Sequence, residues 1–112
     1  MDKESGQAVL RTKVKEINPL IAQILAILKS YLENGQYRIF LFGSWASMHA
    51  RPTSDIDIAL LGTRPVIDAV FLKIREEIDS LPTLRSIDIV DLSRTDTKFK
   101  DAVLRESQEL YL

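Results

Sequence analysis

No cysteine occurs among the 112 residues. That excludes a disulfide framework and any thiolate metal site, and it fits a reducing compartment such as the cytoplasm. Long hydrophobic runs are missing too: no apolar stretch approaches the roughly 20 residues that a membrane helix needs. Neither sign of charge dominates. Fifteen Lys and Arg stand against sixteen Asp and Glu, leaving a net charge of -1. This is not the footprint of a protein that holds DNA or RNA by bulk charge, and it favours a small ligand or a protein partner. The charged opening Met1-Asp2-Lys3-Glu4-Ser5 lacks the apolar segment of a secretory signal, so none is expected. There are no repeats, low-complexity tracts or interior linkers. His49 is the only histidine; beside Ala50 and Arg51 it reads as a solvated loop residue.

What is there is the balance of a globular domain, with 46% hydrophobic and 28% charged residues. A chain of this size buries a real core as one domain but has little room for a second substrate-binding lobe. Residues 1–15 read as a polar lead-in and 16–112 as a single domain. Asn18-Pro19 predicts a helix start with Asn as the cap. Leu20, Ile21, Ile24, Leu25, Leu28, Tyr31 and Leu32 then follow at helical spacing, and Asn34-Gly35 predicts the left-handed stop. Tyr37–Phe42 (YRIFLF), Asp55–Leu61 (DIDIALL) and Ser86–Leu92 (SIDIVDL) read as strands. Trp45–His49 reads as a short helix and 51–54 as a loop. Val66, Ile67, Val70, Phe71, Ile74 and Ile78 define a second amphipathic helix, ended at Leu81-Pro82. Thr95–Leu112 reads as a last helix, with Phe99, Val103, Leu104 and Leu110 inward. The expected fold is α/β (α+β): a small mixed sheet of three strands with helices packed on one face.

Chemistry concentrates in two places. Asp55 and Asp57 are two apart on a strand and share a face, while Ile56 and Ile58 take the other. Two carboxylates that close repel unless a cation sits between them, and Mg²⁺ or Mn²⁺ is the natural occupant. Taken alone, an Asp-x-Asp strand is more often just a solvated outer face. Gly43-Ser44 ends the preceding strand. Glycine there lets backbone N–H groups approach a phosphate at the start of a helical turn, although the same pair is also a common strand-to-helix junction. No Gly-Lys-Ser/Thr follows, so it is not a Walker loop. Asp88 lies between Ile87 and Ile89 as Asp57 lies between Ile56 and Ile58, so it is expected on the face of the pair. Asp91 would share a face with the isoleucines unless the strand has already ended; the alternation favours Asp88.

Gly43-Ser44, ten intervening residues, Ser54, then Asp55-Ile56-Asp57 and the later Ile87-Asp88-Ile89 together resemble the signature of the DNA polymerase beta-like nucleotidyltransferase superfamily. Within it the chain is similar to the minimal nucleotidyltransferase (MNT) branch, the antitoxin MNT family, from about Asn18 to the end. The resemblance implies a polymerase beta palm-like fold. It also implies transfer of a nucleoside monophosphate, AMP from ATP or another nucleoside triphosphate, to a hydroxyl. By the same resemblance Gly43 and Ser44, with Ser54, would hold the phosphates. Asp55, Asp57 and Asp88 would be the catalytic carboxylates and would bind two Mg²⁺ ions, and Asp88 would also take the proton of the attacking hydroxyl. Many relatives carry an arginine directly after Gly-Ser and a glycine shortly beyond it; here those places hold Trp45 and Met48, for which apolar packing is the simpler role.

Without an acceptor lobe, the acceptor should come from a partner. The resemblance implies a small helical HEPN-type protein, neutralised as the toxin of a toxin–antitoxin pair, in a homo- or hetero-oligomer. Two other functions fit the same residues. One is a non-catalytic module that masks its partner by complex formation through exposed Trp45, Met48 or Leu112. The other is a nucleotide-sensing regulatory domain.

Overall fold

The computed structural model describes residues 17–110 apart from Asn34, Met48, Pro52 and Thr53. The expected lead-in over 1–15 lies outside the described residues, as do Tyr111 and Leu112. In chain order the elements are α1 (Asn18–Tyr31), β1 (Tyr37–Phe42), β2 (Ile56–Gly62), α2 (Asp68–Asp79), β3 (Ile87–Asp91), a 3₁₀ turn (Leu92–Arg94), α3 (Thr97–Glu106) and β4 (Gln108–Leu110). The strands form one mixed sheet in the order β3-β2-β1-β4. β1 runs antiparallel to both neighbours, and β2 and β3 are parallel, joined by the α2 crossover.

α1 turns Ile21, Ile24, Leu25 and Leu28 into the core, the stripe its spacing predicts. Its start differs from expectation. Ile17 holds the cap position without a side-chain hydrogen bond, and Asn18 and Pro19 are already in the first turn. Proline suits that turn because its missing N–H would have had no partner there. The helix stops at Leu32, whose N–H bonds back to the Leu28 carbonyl, and Gly35, with φ +80°, shapes the following turn rather than the helix end. α2 also begins later than predicted, at Asp68. Val66 is buried ahead of it, while Ile67, in extended backbone, caps the helix and stays 70% exposed. The expected helix over Trp45–His49 is a pair of turns, closed by Ser47 N–H to the Gly43 carbonyl and His49 N–H to the Ser44 carbonyl.

The largest difference lies at the end of the chain. The predicted helix from Thr95 to Leu112 is interrupted. The Asp96 side chain caps α3 by accepting from the Phe99 N–H at 2.7 Å, and the helix ends at Glu106. The chain then extends as β4, pairing Ile39 with Leu110, Phe40 with Glu109 and Leu41 with Gln108. The sheet therefore has four strands, not three. The free edge of β1 offers a row of unpaired N–H and carbonyl groups, and satisfying them outweighs the weak helical preference of Ser107-Gln108-Glu109. Leu110 is buried, as expected, but from a strand.

Two apolar layers result. α1 and α2 cover one face of the sheet, against Ile39, Leu41, Ile56, Ile58, Leu60, Ile87 and Ile89. α3 lies against the other, where Phe40, Ala59, Leu92 and Val103 are buried with Phe42, Leu61, Val90 and Leu104 beside them. Phe99 of α3 remains 40% exposed and meets the edge of Phe42 with ring centroids 6.1 Å apart. This second face also carries Asp57, because Phe42 and Asp57 are register partners across β1 and β2.

Candidate functional site

The parallel ladder puts Asp57 and Asp88 side by side as register partners. The alternation on both strands turns them to the same face, since their neighbours Ile56, Ile58, Ile87 and Ile89 are buried on the other. Asp55 precedes the first paired residue of β2 and is exposed, as is Asp88; Asp57 is half-buried. Asp57 feels the other two carboxylates. Burial, then the charge of Asp88, then that of Asp55 push the Asp57 carboxyl up to about 6. Each cause disfavours its ionised form.

Gly43 closes the site from the β1 side. Its φ is +75°, a left-handed backbone that glycine adopts without strain. Its missing side chain leaves the space that the Asp57 carboxylate occupies: a Cβ at Gly43 would run into that carboxylate, with the Asp57 Cγ only 3.2 Å away. The Gly-Ser turn and the Asp-x-Asp strand, twelve positions apart in sequence, are thus one packed unit. The Ser44 carbonyl accepts from the Ser47 hydroxyl at 3.2 Å and from the His49 N–H at 2.9 Å, which winds the turn beyond the glycine.

The other candidates separate cleanly. Ser54 is used within its own loop, where its hydroxyl accepts from the Arg51 N–H at 2.8 Å and its N–H donates to the Arg51 carbonyl at 2.9 Å. Asp91 is 5% exposed on the opposite side of its strand from Asp88. It accepts from the Val66 N–H at 2.8 Å and the Ser93 N–H at 2.9 Å, so it anchors the entry to α2 and starts the 3₁₀ turn. Arg94 completes that anchor, donating to the Val66 carbonyl and pairing with Asp68 at 3.0 Å. Sequence reasoning missed this junction; the Asp-x-Ser spacing of Asp91 and Ser93 is the one local sign of it. His49 is exposed, and its ring meets the Ser47 hydroxyl at 3.1 Å, as fits a loop residue. Trp45 is 1% exposed, so it packs, as its place suggested, and cannot offer a partner surface. Met48 and Leu112 lie outside the described residues.

Asp55, Asp57 and Asp88 are hard oxygen donors, and burial, with the charges of Asp88 and Asp55, disfavours the ionised Asp57, a cost that a divalent cation would offset. Among the described residues no three such groups are already closed to metal-holding distance. Asp55 and Asp88 are exposed. The donor set therefore fits Mg²⁺ or Mn²⁺.

The family model described as "Polymerase beta, Nucleotidyltransferase" matches residues 22–112. The chain belongs to this nucleotidyltransferase family. No curated protein matches it. Among solved structures it is similar to a chain of a toxin–antitoxin crystallised with AMP-PNP, at 26% identity and TM-score 0.66 over 80% of this chain and 71% of that one. It also resembles a chain of the complex between a tri-AMPylated Shewanella oneidensis HEPN toxin and its MNT antitoxin, at 23% identity and TM-score 0.61, covering 80% and 67%. A Sulfolobus solfataricus chain described as a nucleotidyltransferase shares the fold end to end, at 18% identity and TM-score 0.58, covering 100% and 97%. The family's mixed four-strand sheet with three helices is the one found here. Among the described residues no helix is long and apolar enough to cross a membrane.

Proposed function

We propose that this member of the family transfers AMP from ATP to a hydroxyl of a partner protein. The partner would be a small helical HEPN-type toxin and the chain its antitoxin, acting in the cytoplasm. The observation that carries the reading is the Asp57 carboxylate lodged against Gly43 and paired with Asp88. It unites a phosphate-accepting turn and a cation-binding cluster on one face. The likeness to a toxin–antitoxin crystallised with AMP-PNP and to a complex containing a tri-AMPylated toxin supports the substrate and the partner.

In this reading the Gly43-Ser44 turn holds the triphosphate by its backbone N–H groups, with the Ser44 hydroxyl as a further donor; Ser54 shapes the adjoining loop. Asp55, Asp57 and Asp88 would hold the Mg²⁺ ions, which when bound neutralise phosphate charge and lower the pKa of the attacking hydroxyl. The hydroxyl oxygen forms a bond to the α-phosphorus, the bond from that phosphorus to the bridging oxygen breaks, and pyrophosphate leaves. The hydroxyl proton passes to Asp88. Positioning and charge neutralisation supply most of the rate in such transfers, so the partner can bring its own hydroxyl to the site.

The test incubates the purified chain with a HEPN-type partner, ATP and Mg²⁺, and weighs the partner by mass spectrometry. One or more AMP additions are expected, and none with Asp55→Asn/Asp57→Asn. An adduct unchanged by that double substitution removes the assignment. Masking by complex formation alone is the second reading, favoured by the exposed Ile67 and Leu72, 70% and 58% exposed at the start of α2. Neutralisation that survives the double substitution but fails on Leu72→Asp would establish it.

A further inference from the structure

Asp55 poses a problem that the sheet does not solve. Asp57 and Asp88 are fixed by ladder pairing, but β2 begins at Ile56, so Asp55 hangs on the preceding loop. That loop is held by Trp45. Its indole N–H donates to the Ser54 carbonyl at 3.2 Å, one residue before Asp55. A ring buried to this degree fills its space whether or not its N–H is bonded. The N–H adds one directed bond, in a place where a buried donor must find a partner. The same indole meets a third segment. The Arg85 guanidinium sits 5.2 Å from the centre of its ring, within cation–π range. Arg85 precedes Ser86, whose carbonyl accepts from the Ile56 N–H at 2.9 Å and opens the parallel ladder that carries Asp88. Trp45 itself directly follows Gly43-Ser44.

We infer that Trp45 is a positioning residue: by tying the Gly-Ser turn, the Ser54-Asp55 loop and the Arg85-Ser86 approach to β3 at one buried indole, it sets Asp55 against the phosphate turn. The inference rests on the nucleotide-binding reading of the site above. In it, the residue that replaces the arginine common after Gly-Ser does its work from beneath the site rather than on the nucleotide.

The experiment uses the full chain, wild type and with Trp45→Phe, Asp55→Asn and both, and Leu110→Val as a core control on β4, the opposite edge of the sheet from β3. ATP affinity is measured by calorimetry with and without Mg²⁺. Trp45→Phe should weaken Mg²⁺-dependent ATP binding roughly tenfold, as loss of a group that orients a metal ligand does. It should leave Mg²⁺-free binding unchanged and add nothing further in the Asp55→Asn background. A Trp45→Phe change within twofold of wild type, an effect that adds fully to Asp55→Asn, or an equal loss in Leu110→Val overturns the inference. Amide hydrogen exchange decides it without nucleotide. Trp45→Phe should lower protection at Asp55, Ile56 and Ile87 while α1 and β4 keep theirs; an even loss across the molecule means that the ring only fills space. If wild type shows no Mg²⁺-dependent ATP binding, the proposed function fails, and the exchange pattern still decides the role of Trp45.

Discussion

At Gly43, conformation and packing make the same demand. Alanine there would adopt a left-handed backbone, at a cost of about 1–2 kcal/mol, and its methyl would displace the Asp57 carboxylate. Gly43→Ala should therefore lower stability by at least that amount in urea unfolding and abolish Mg²⁺-dependent ATP binding. Glycine to alanine at Gly35, which meets nothing within 4 Å, should cost only the backbone term. Asp57 carries a second prediction. Its carboxyl titrates near 6 in the folded chain, above the ordinary 3.8, so the folded state holds the proton more tightly than the unfolded one. Its contribution to stability is then greatest below about 4 and is lost as pH rises toward about 6. Relative to Asp57→Asn, the metal-free wild type should unfold at progressively lower urea across that window, with no further change above it. Mg²⁺ should bind in the opposite sense, more tightly as the proton leaves, and should erase the difference; a wild type that tracks Asp57→Asn at every pH removes the account. That Asp57 and Asp88 share a face was legible in the sequence, because isoleucines flank both. The contact between Gly43 and Asp57 was not. It depends on a dihedral angle and a cross-strand register, neither of which a ten-residue spacing encodes.

Among the elements, those with strong local patterns matched their sequence. YRIFLF is β1 to the residue, and the α1 stripe of Ile21, Ile24, Leu25 and Leu28 is the buried one. β4 escaped because nothing local marks it. Gln108-Glu109-Leu110 is too short to show alternation, and its pairing with β1 spans about seventy residues. Two forces hold it. Arg38 makes a two-pronged ion pair with Glu109, Nε to Oε2 at 3.0 Å and Nη2 to Oε1 at 2.9 Å, but the Arg38 side chain is 59% exposed. Leu110 is 3% exposed in the layer beneath α1. Solvent screening limits the exposed pair to about 0–1 kcal/mol, whereas truncating a buried leucine costs about 2–5 kcal/mol. Leu110→Ala should therefore destabilise the chain several times more than Arg38→Ala in equilibrium unfolding. Equal losses would mean that the ion pair, not burial, docks the strand. The late start of α2 has a similar origin: Asp91 captures the Val66 N–H from 25 residues away, which keeps that residue out of the helix against its helical spacing.

For the molecule as a whole, the site joins parts from three adjacent strands, β3, β2 and β1, so occupancy should be felt globally. The Gly-Ser turn ends β1, the carboxylates belong to the start of β2 and to β3, and α2 links those two strands on the opposite face. A ligand that bridges turn and carboxylates binds only the folded chain, because the unfolded one holds no such juxtaposition. At a concentration 100 times its dissociation constant it should stabilise by about 2.7 kcal/mol. For a domain of this size that raises the melting temperature by roughly 10 °C or more. The expected pattern in a thermal melt has three parts. ATP with Mg²⁺ produces the full shift, and ATP with a chelator produces a small one, since the turn alone still meets the phosphates. Mg²⁺ alone gives a measurable shift by relieving the repulsion at Asp57. In Asp55→Asn/Asp57→Asn the metal-free protein should melt no lower than wild type, because the clustered charge is gone, and Mg²⁺ should no longer add to the effect of ATP. A double variant that still responds to the two together would place the cation elsewhere than on these carboxylates.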